Sequence, residues 1–180
     1  MRIREKIILC FFILCVAGGL YARESTVYFT TETDLAKKCI EYIQKESEFI
    51  RIASHRLSNS QVILALLQAH KRGASIEIIV DAETVTKNSR LQLLANERIS
   101  ILVWKSNGKK RDHLHHSFCI FGKDLTWTGS YSFSLQKKFA HKESVVILEN
   151  EQIAQSFLKE FEALKMSGCS SFAEYVKEME

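Results

Sequence analysis

The sequence predicts an α/β sandwich with a mixed β-sheet flanked by helices. Short runs rich in β-branched residues, "FIRIAS", "SIEIIVD" and "ISILVW", recur between stretches whose apolar residues fall at helical spacing. Strand, helix, strand, helix, strand in close succession implies crossover helices packed on a sheet. Further along, "HSFCIF" and "LTWTG" are separated only by Gly122, Lys123 and Asp124, so hairpin-like pairing joins the crossover strands.

Each element follows from its residues. "STVYFT" reads as a first strand. "TETDLAKKCIEYIQKES" places Leu35, Cys39, Tyr42 and Ile43 on one helical face, with Thr31 as a cap. "FIRIAS" alternates Ile50 and Ile52 around Arg51, which suits a strand. In "SNSQVILALLQAHKRGAS", Ser58 and Gln61 have capping-box spacing, Ile63, Leu66 and Leu67 form the apolar face, and Gly73 ends the helix. "SIEIIVD" is the next strand, "SRLQLLANE" a short helix and "ISILVW" a further strand. A basic loop, "KSNGKKRD", leads into the hairpin; "SVVILE" and a helix from Gln152 to about Met166 follow.

Composition bounds the rest. The 180 residues are 46% hydrophobic and 26% charged, without repeats or low-complexity blocks, and contain no proline, so no proline-rich linker divides them. One continuous domain is expected over residues 23–168, with 169–180 as a C-terminal tail. Residues 1–22 stand apart: Arg2, Arg4 and Lys6 precede the apolar run "IILCFFILCVAGGL", and Ala22 closes a small-residue cleavage site. This is the order of a signal peptide, with an uncleaved membrane anchor as the alternative. The domain is then expected to be exported, periplasmic or secreted, or membrane-anchored through this segment. The formal net charge of +4 falls to +2 without that leader, which holds three basic residues and one acidic one. So mild a charge does not demand a nucleic-acid partner. Cys39, Cys119 and Cys169 remain outside the leader, an odd set without a disulfide framework or zinc-ligand spacing.

The stretch "HLHHSFCIFGKDLTWTGSYSFS" carries a more specific signal. Aligned on His115 and Gly129, it resembles the phospholipase D superfamily signature H-x-K-x(4)-D-x(6)-G-S-x-N, with the spacings intact. "VYFTTETDLAKKCIEYIQKESEFIRIAS", "ILALLQAHKRGASIEIIVD" and "KESVVILENEQIAQSFLKEFE" are similar, in order and spacing, to the small one-motif bacterial endonucleases of that superfamily, relatives of mitochondrial cardiolipin hydrolase. The resemblance covers Ser25 to about Lys165 and implies a phospholipase D-like sandwich.

It also implies roles. His115 falls at the nucleophile position, Gly129 and Ser130 at the G-S pair, and Glu143 at the acidic residue that orients histidine across the site. Three positions depart: Ser117 stands for the lysine, Gly122 for the aspartate and Ser132 for the asparagine. Ser117, Ser130 and Ser132 are therefore the candidate phosphate-binding side chains. In the family, one histidine attacks phosphorus to give a phosphohistidine and a second protonates the leaving oxygen. A one-motif chain borrows the second histidine, so the resemblance implies a homodimer with a shared active site. The implied reaction needs no cofactor and no metal. Its substrate is a phospholipid or nucleic-acid phosphodiester, with membrane association through the leader if that is retained. The alternative is a catalytically inactive homodimer that binds anionic lipid or nucleic acid; a purely structural interaction protein is the third class. The lysine's absence bears on catalysis directly, because losing one transition-state donor costs on the order of 3 to 4 kcal/mol.

Overall fold

A computed structural model describes residues 25–106, 112–134 and 141–179. The leader and most of the basic loop lie outside these residues. Four strands fall in the first part of the chain: β1 (Ser25–Phe29), β2 (Phe49–Ser54), β3 (Ser75–Asp81) and β4 (Ser100–Trp104). Between them lie α1 (Leu35–Lys45), α2 (Ser60–Lys71), a single 3-10 turn (Ala82–Thr84) and α3 (Leu91–Asn96). The hairpin β5 (Ser117–Phe121) and β6 (Leu125–Gly129) leads to β7 (Ser144–Glu149), α4 (Glu151–Gly168), β8 (Cys169–Ser171) and α5 (Phe172–Glu178).

All eight strands join one mixed sheet in the order β1-β7-β6-β5-β2-β3-β4-β8, as the sequence predicts for the fold class. The β2–β3 and β3–β4 pairs are parallel and every other pair is antiparallel. Helices cover both faces, so β3 reads as a continuous apolar run rather than an alternating one. Its Ile78 and Val80 join the core under α1, α2, α3 and α5, together with Leu35, Ile43, Ile63, Leu94 and Phe172. Ile79 turns to the other face and packs with Phe118, Ile120, Phe161 and Leu164 beneath α4. The charged Arg51 of β2 is accommodated by its register partner Glu77, 3.1 Å away, which Lys165 of α4 also reaches at 3.2 Å.

Several local assignments differ from expectation. Asp34, not Thr31, caps α1, because its carboxylate accepts from Lys37 N as the chain leaves extended conformation. Asn59, not Ser58, caps α2, accepting from Gln61 N and Val62 N. Gly73 does end α2, in left-handed conformation at φ +104°, while Gly73 N and Ala74 N donate to the last-turn carbonyls of His70 and Ala69. Residues 169–178, read in sequence as a tail, form β8 against β4 and then α5, whose Phe172 is buried. The signal there was Ser171 and Glu174, which form a capping box.

Candidate active site

The parallel strands fix where a site can form, since β2 and β3 both deliver their C-terminal ends to the same edge. Ser54 of β2 pairs with Ser117 of the antiparallel β5, so the segment entering β5 arrives at that edge too. The C-terminal end of β6 and the N-terminal end of β7 meet there in turn, with Gly129 opposite Val145. His115, Ser117, Ser130, Ser132 and Glu143 therefore lie at one end of the sheet. A cavity lined by Tyr42, Glu46, Phe121, Gly122, Lys123 and Glu149 opens at the opposite end, beside the β5–β6 turn; of the motif positions only Gly122 lines it, and none of His115, Ser117, Ser130, Ser132 and Glu143 does.

His115 is exposed just before β5. Its ring stacks on that of His55, with centroids 5.5 Å apart and an interplanar angle of 18°, and meets the edge of His113 at 5.8 Å. His116 turns to the other face, as strand alternation requires, and its Nε2 lies 3.0 Å from Glu160 Oε1 on α4. It is thus committed away from His115.

His55 was not singled out from sequence. It is the first residue after β2, and its backbone continues both ladders: His55 N donates to His116 O at 3.0 Å, and His55 O accepts from Asp81 N and from Thr84 Oγ1. Its ring is half-buried, and its Nδ1 is buried without a hydrogen-bond partner among the described residues. The available signal was positional: a histidine at the C-terminal end of a strand inside the crossover unit sits where α/β sheets place ligands.

The serines are held by backbone. Ser117 Oγ donates to the carbonyl of Tyr131. In this arrangement the hydroxyl faces backbone, and a serine there brings no charge to a phosphate. Ser130 Oγ accepts from Ser144 N at 3.1 Å, and Ser130 N donates to Ser144 O at 3.0 Å, which fastens the G-S turn to β7 beside Glu143. Ser132 Oγ lies 3.3 Å from Ser134 Oγ, while the carbonyl of Ser132 accepts from the buried Ser54 hydroxyl. Glu143 N and Glu143 O both bond Thr30 at the end of β1. Glu143 and His115 thus flank β6, one before β7 and one before β5.

Two features set the shape of this edge. At Gly129 an added Cβ would lie 2.8 Å from Val145 Cα and collide with the Ser144 carbonyl, so only glycine permits this approach of β6 to β7. Beyond it, Tyr131 and Phe133 turn inward to pack with the fully buried Trp127. Phe133 takes φ +49°, and its carbonyl accepts from Ser58 N and Asn59 N, tying the motif to the start of α2. The Tyr131 hydroxyl accepts from Asn59 Nδ2, and burial, with smaller contributions from Cys39 and Glu143, pushes its phenol well above the usual range. Tyr131 is therefore a neutral packing residue. Gly122, at φ +57°, serves the β5–β6 turn at the far end of the sheet.

Comparison with known proteins bears on the family and the fold. Residues 39–165 match the family described as "Cardiolipin synthase, PLD-like domain", a span that encloses His115, Ser117, Ser130, Ser132 and Glu143. The chain is 26% identical over 154 residues to the phospholipase D of Rickettsia typhi, covering 85% of this chain and 74% of that protein. It is 30% identical over 108 residues to the mitochondrial cardiolipin hydrolase of Canis lupus familiaris, covering 59% of this chain and 41% of that protein. Among solved structures it is similar to Nuc from Salmonella typhimurium, a phospholipase D family member, with a TM-score of 0.70 at 20% identity over 83% of this chain and 97% of that one.

Proposed function

We propose a function on one premise: this chain belongs to the cardiolipin synthase, phospholipase D-like domain family. On that premise it is a phosphodiesterase in which His115 attacks the phosphorus of a phospholipid or nucleic-acid diester. The reaction breaks the bond to the leaving oxygen and forms a phosphohistidine, which water then hydrolyses. The second histidine comes from a partner copy of the chain in a two-fold homodimer, Glu143 orients the imidazole, and residues 1–22 export the domain or anchor it to a membrane. The observation that carries this reading is the placement of His115, exposed at the sheet edge with the G-S turn and Glu143 at the same end.

Catalysis in this reading is slow. The position that supplies an ammonium in the family carries an uncharged hydroxyl, bonded here to the Tyr131 carbonyl. That observation favours a second reading, an inactive homodimer that binds anionic lipid or nucleic acid. Hydrolysis of bis(p-nitrophenyl) phosphate by the full chain, with EDTA present, separates the two. The first reading expects turnover that disappears in His115→Ala. Absent turnover, with binding of anionic vesicles or single-stranded DNA that inorganic phosphate competes away, supports the second.

A further inference from the structure

Beside His115 lies a group of side chains that the hydrolytic reading does not use. Asp81 ends β3, Glu83 stands in the 3-10 turn that follows, and His113 precedes β5; one potential ligand atom from each lies within 4.8 Å of the others. We propose that Asp81, Glu83 and His113 bind a divalent transition-metal ion of the zinc type.

The backbone is built to hold these residues together. Asp81 is 2% exposed, and its two carboxylate oxygens accept from Glu83 N and Leu114 N. One buried carboxylate thereby pins the main chain at Glu83 and immediately beside His113. Thr84 Oγ1 adds bonds to the carbonyls of Asp81 and His55. A carboxylate has about four lone-pair sites, so each Asp81 oxygen can serve an N–H and still face an ion.

The distances suit a small ion. Ligands placed tetrahedrally about 2.1 Å from zinc stand about 3.4 Å from one another. His113 Nδ1 and Glu83 Oε2 are already 3.3 Å apart. The Glu83 side chain, 64% exposed, is free to close the remaining gap. An imidazole nitrogen with two carboxylates selects a borderline transition ion over magnesium or calcium, which prefer all-oxygen sets. Three protein ligands leave a position open to solvent, and the His113 ring is in edge contact with His115. A bound ion would therefore place positive charge one ring away from the nucleophile position. The metal inference itself rests on these three residues and not on hydrolysis.

The test reads the ion directly. The full chain, stripped with chelator, is titrated with zinc chloride by calorimetry and with cobalt(II) by visible absorption. One ion per chain is expected, without thiolate charge-transfer absorption. Glu83→Gln and His113→Gln should each weaken affinity about tenfold or more. Both variants should melt as the parent does in chelator, which separates ligand loss from misfolding. Absence of binding, unchanged affinity in both variants, or cysteine-type cobalt spectra would overturn the proposal. So would affinity lost in His115→Gln but kept in His113→Gln, because the ion would then sit on another ligand set.

Discussion

Ser117 Oγ donates its single proton to the carbonyl of Tyr131, within the G-S-Y-S segment of the same motif. The residue that would contact phosphate in an active relative is here a tie between β5 and the turn after β6. The hydroxyl fastens the edge of the site, and position 117 itself carries no charge.

Replacing this tie with a charge gives the first prediction. Ser117→Lys should raise phosphodiester hydrolysis about tenfold or more, since one donor aimed at developing charge is worth that much in other active sites. Adding Ser132→Asn should raise it further, and the two gains should not be additive, because both side chains would contact one phosphate. Initial rates on bis(p-nitrophenyl) phosphate, with fold and oligomeric state checked alongside, measure this. A folded double variant no faster than the parent would show that the site has diverged beyond its missing lysine.

The tie itself has a stability signature. Ser117→Ala leaves the Tyr131 carbonyl without its donor in a half-buried setting, at a cost of about 1–3 kcal/mol. Urea unfolding followed by circular dichroism should show a lower midpoint with an unchanged slope. An unaltered midpoint would mean that the Tyr131 carbonyl finds another donor.

Much of this arrangement is legible in the chain. The strand runs, the hairpin spacing and Gly73 all act locally, through periodicity or backbone conformation, and the sheet follows from them. The capping positions fall one to three residues later than expected because Asp34 and Asn59 also carry capping side chains and stand nearer the first helical residues, where they bond Lys37 N and Gln61 N with Val62 N. His55 was hidden for a different reason. It lies 60 residues from His115 in sequence, and only the β2–β5 register brings the rings together. The fate of the Ser117 proton was equally invisible, since it depends on where the Tyr131 carbonyl points after the chain turns.

Gly129 gives a sharper packing test. A side chain there must displace β7 backbone, so Gly129→Ala should cost about 3 kcal/mol or more. Its melting temperature should fall by about 6 °C or more. A variant melting within about 1 °C of the parent would contradict the close approach of β6 to β7.

The thiols are graded by burial. Cys39 and Cys119 are fully buried, and loss of solvation holds both well above the usual thiol range, whereas half-buried Cys169 is pushed up to about 11. A raised value keeps the thiol protonated at neutral pH, so reactivity should grow as pH rises toward that of Cys169. Maleimide labelling of the native chain at pH 8, mapped peptide by peptide, should modify Cys169 slowly and Cys39 and Cys119 only after unfolding. Rapid native labelling of Cys119 would contradict its place in the core.

In the proposed function His115 is the nucleophile of a phospholipase D-type site shared between two copies of the chain. The most direct measurement is acid-quenched mass spectrometry of Ser117→Lys during turnover of a phosphodiester, with sedimentation at micromolar concentration in parallel. The predicted result is a dimer carrying an acid-labile phosphoryl adduct on His115, absent from the His115→Ala counterpart, which does not turn over. Turnover that persists in that counterpart, an adduct on another residue, or a monomer at micromolar concentration would show that His115 is not the nucleophile of a shared site.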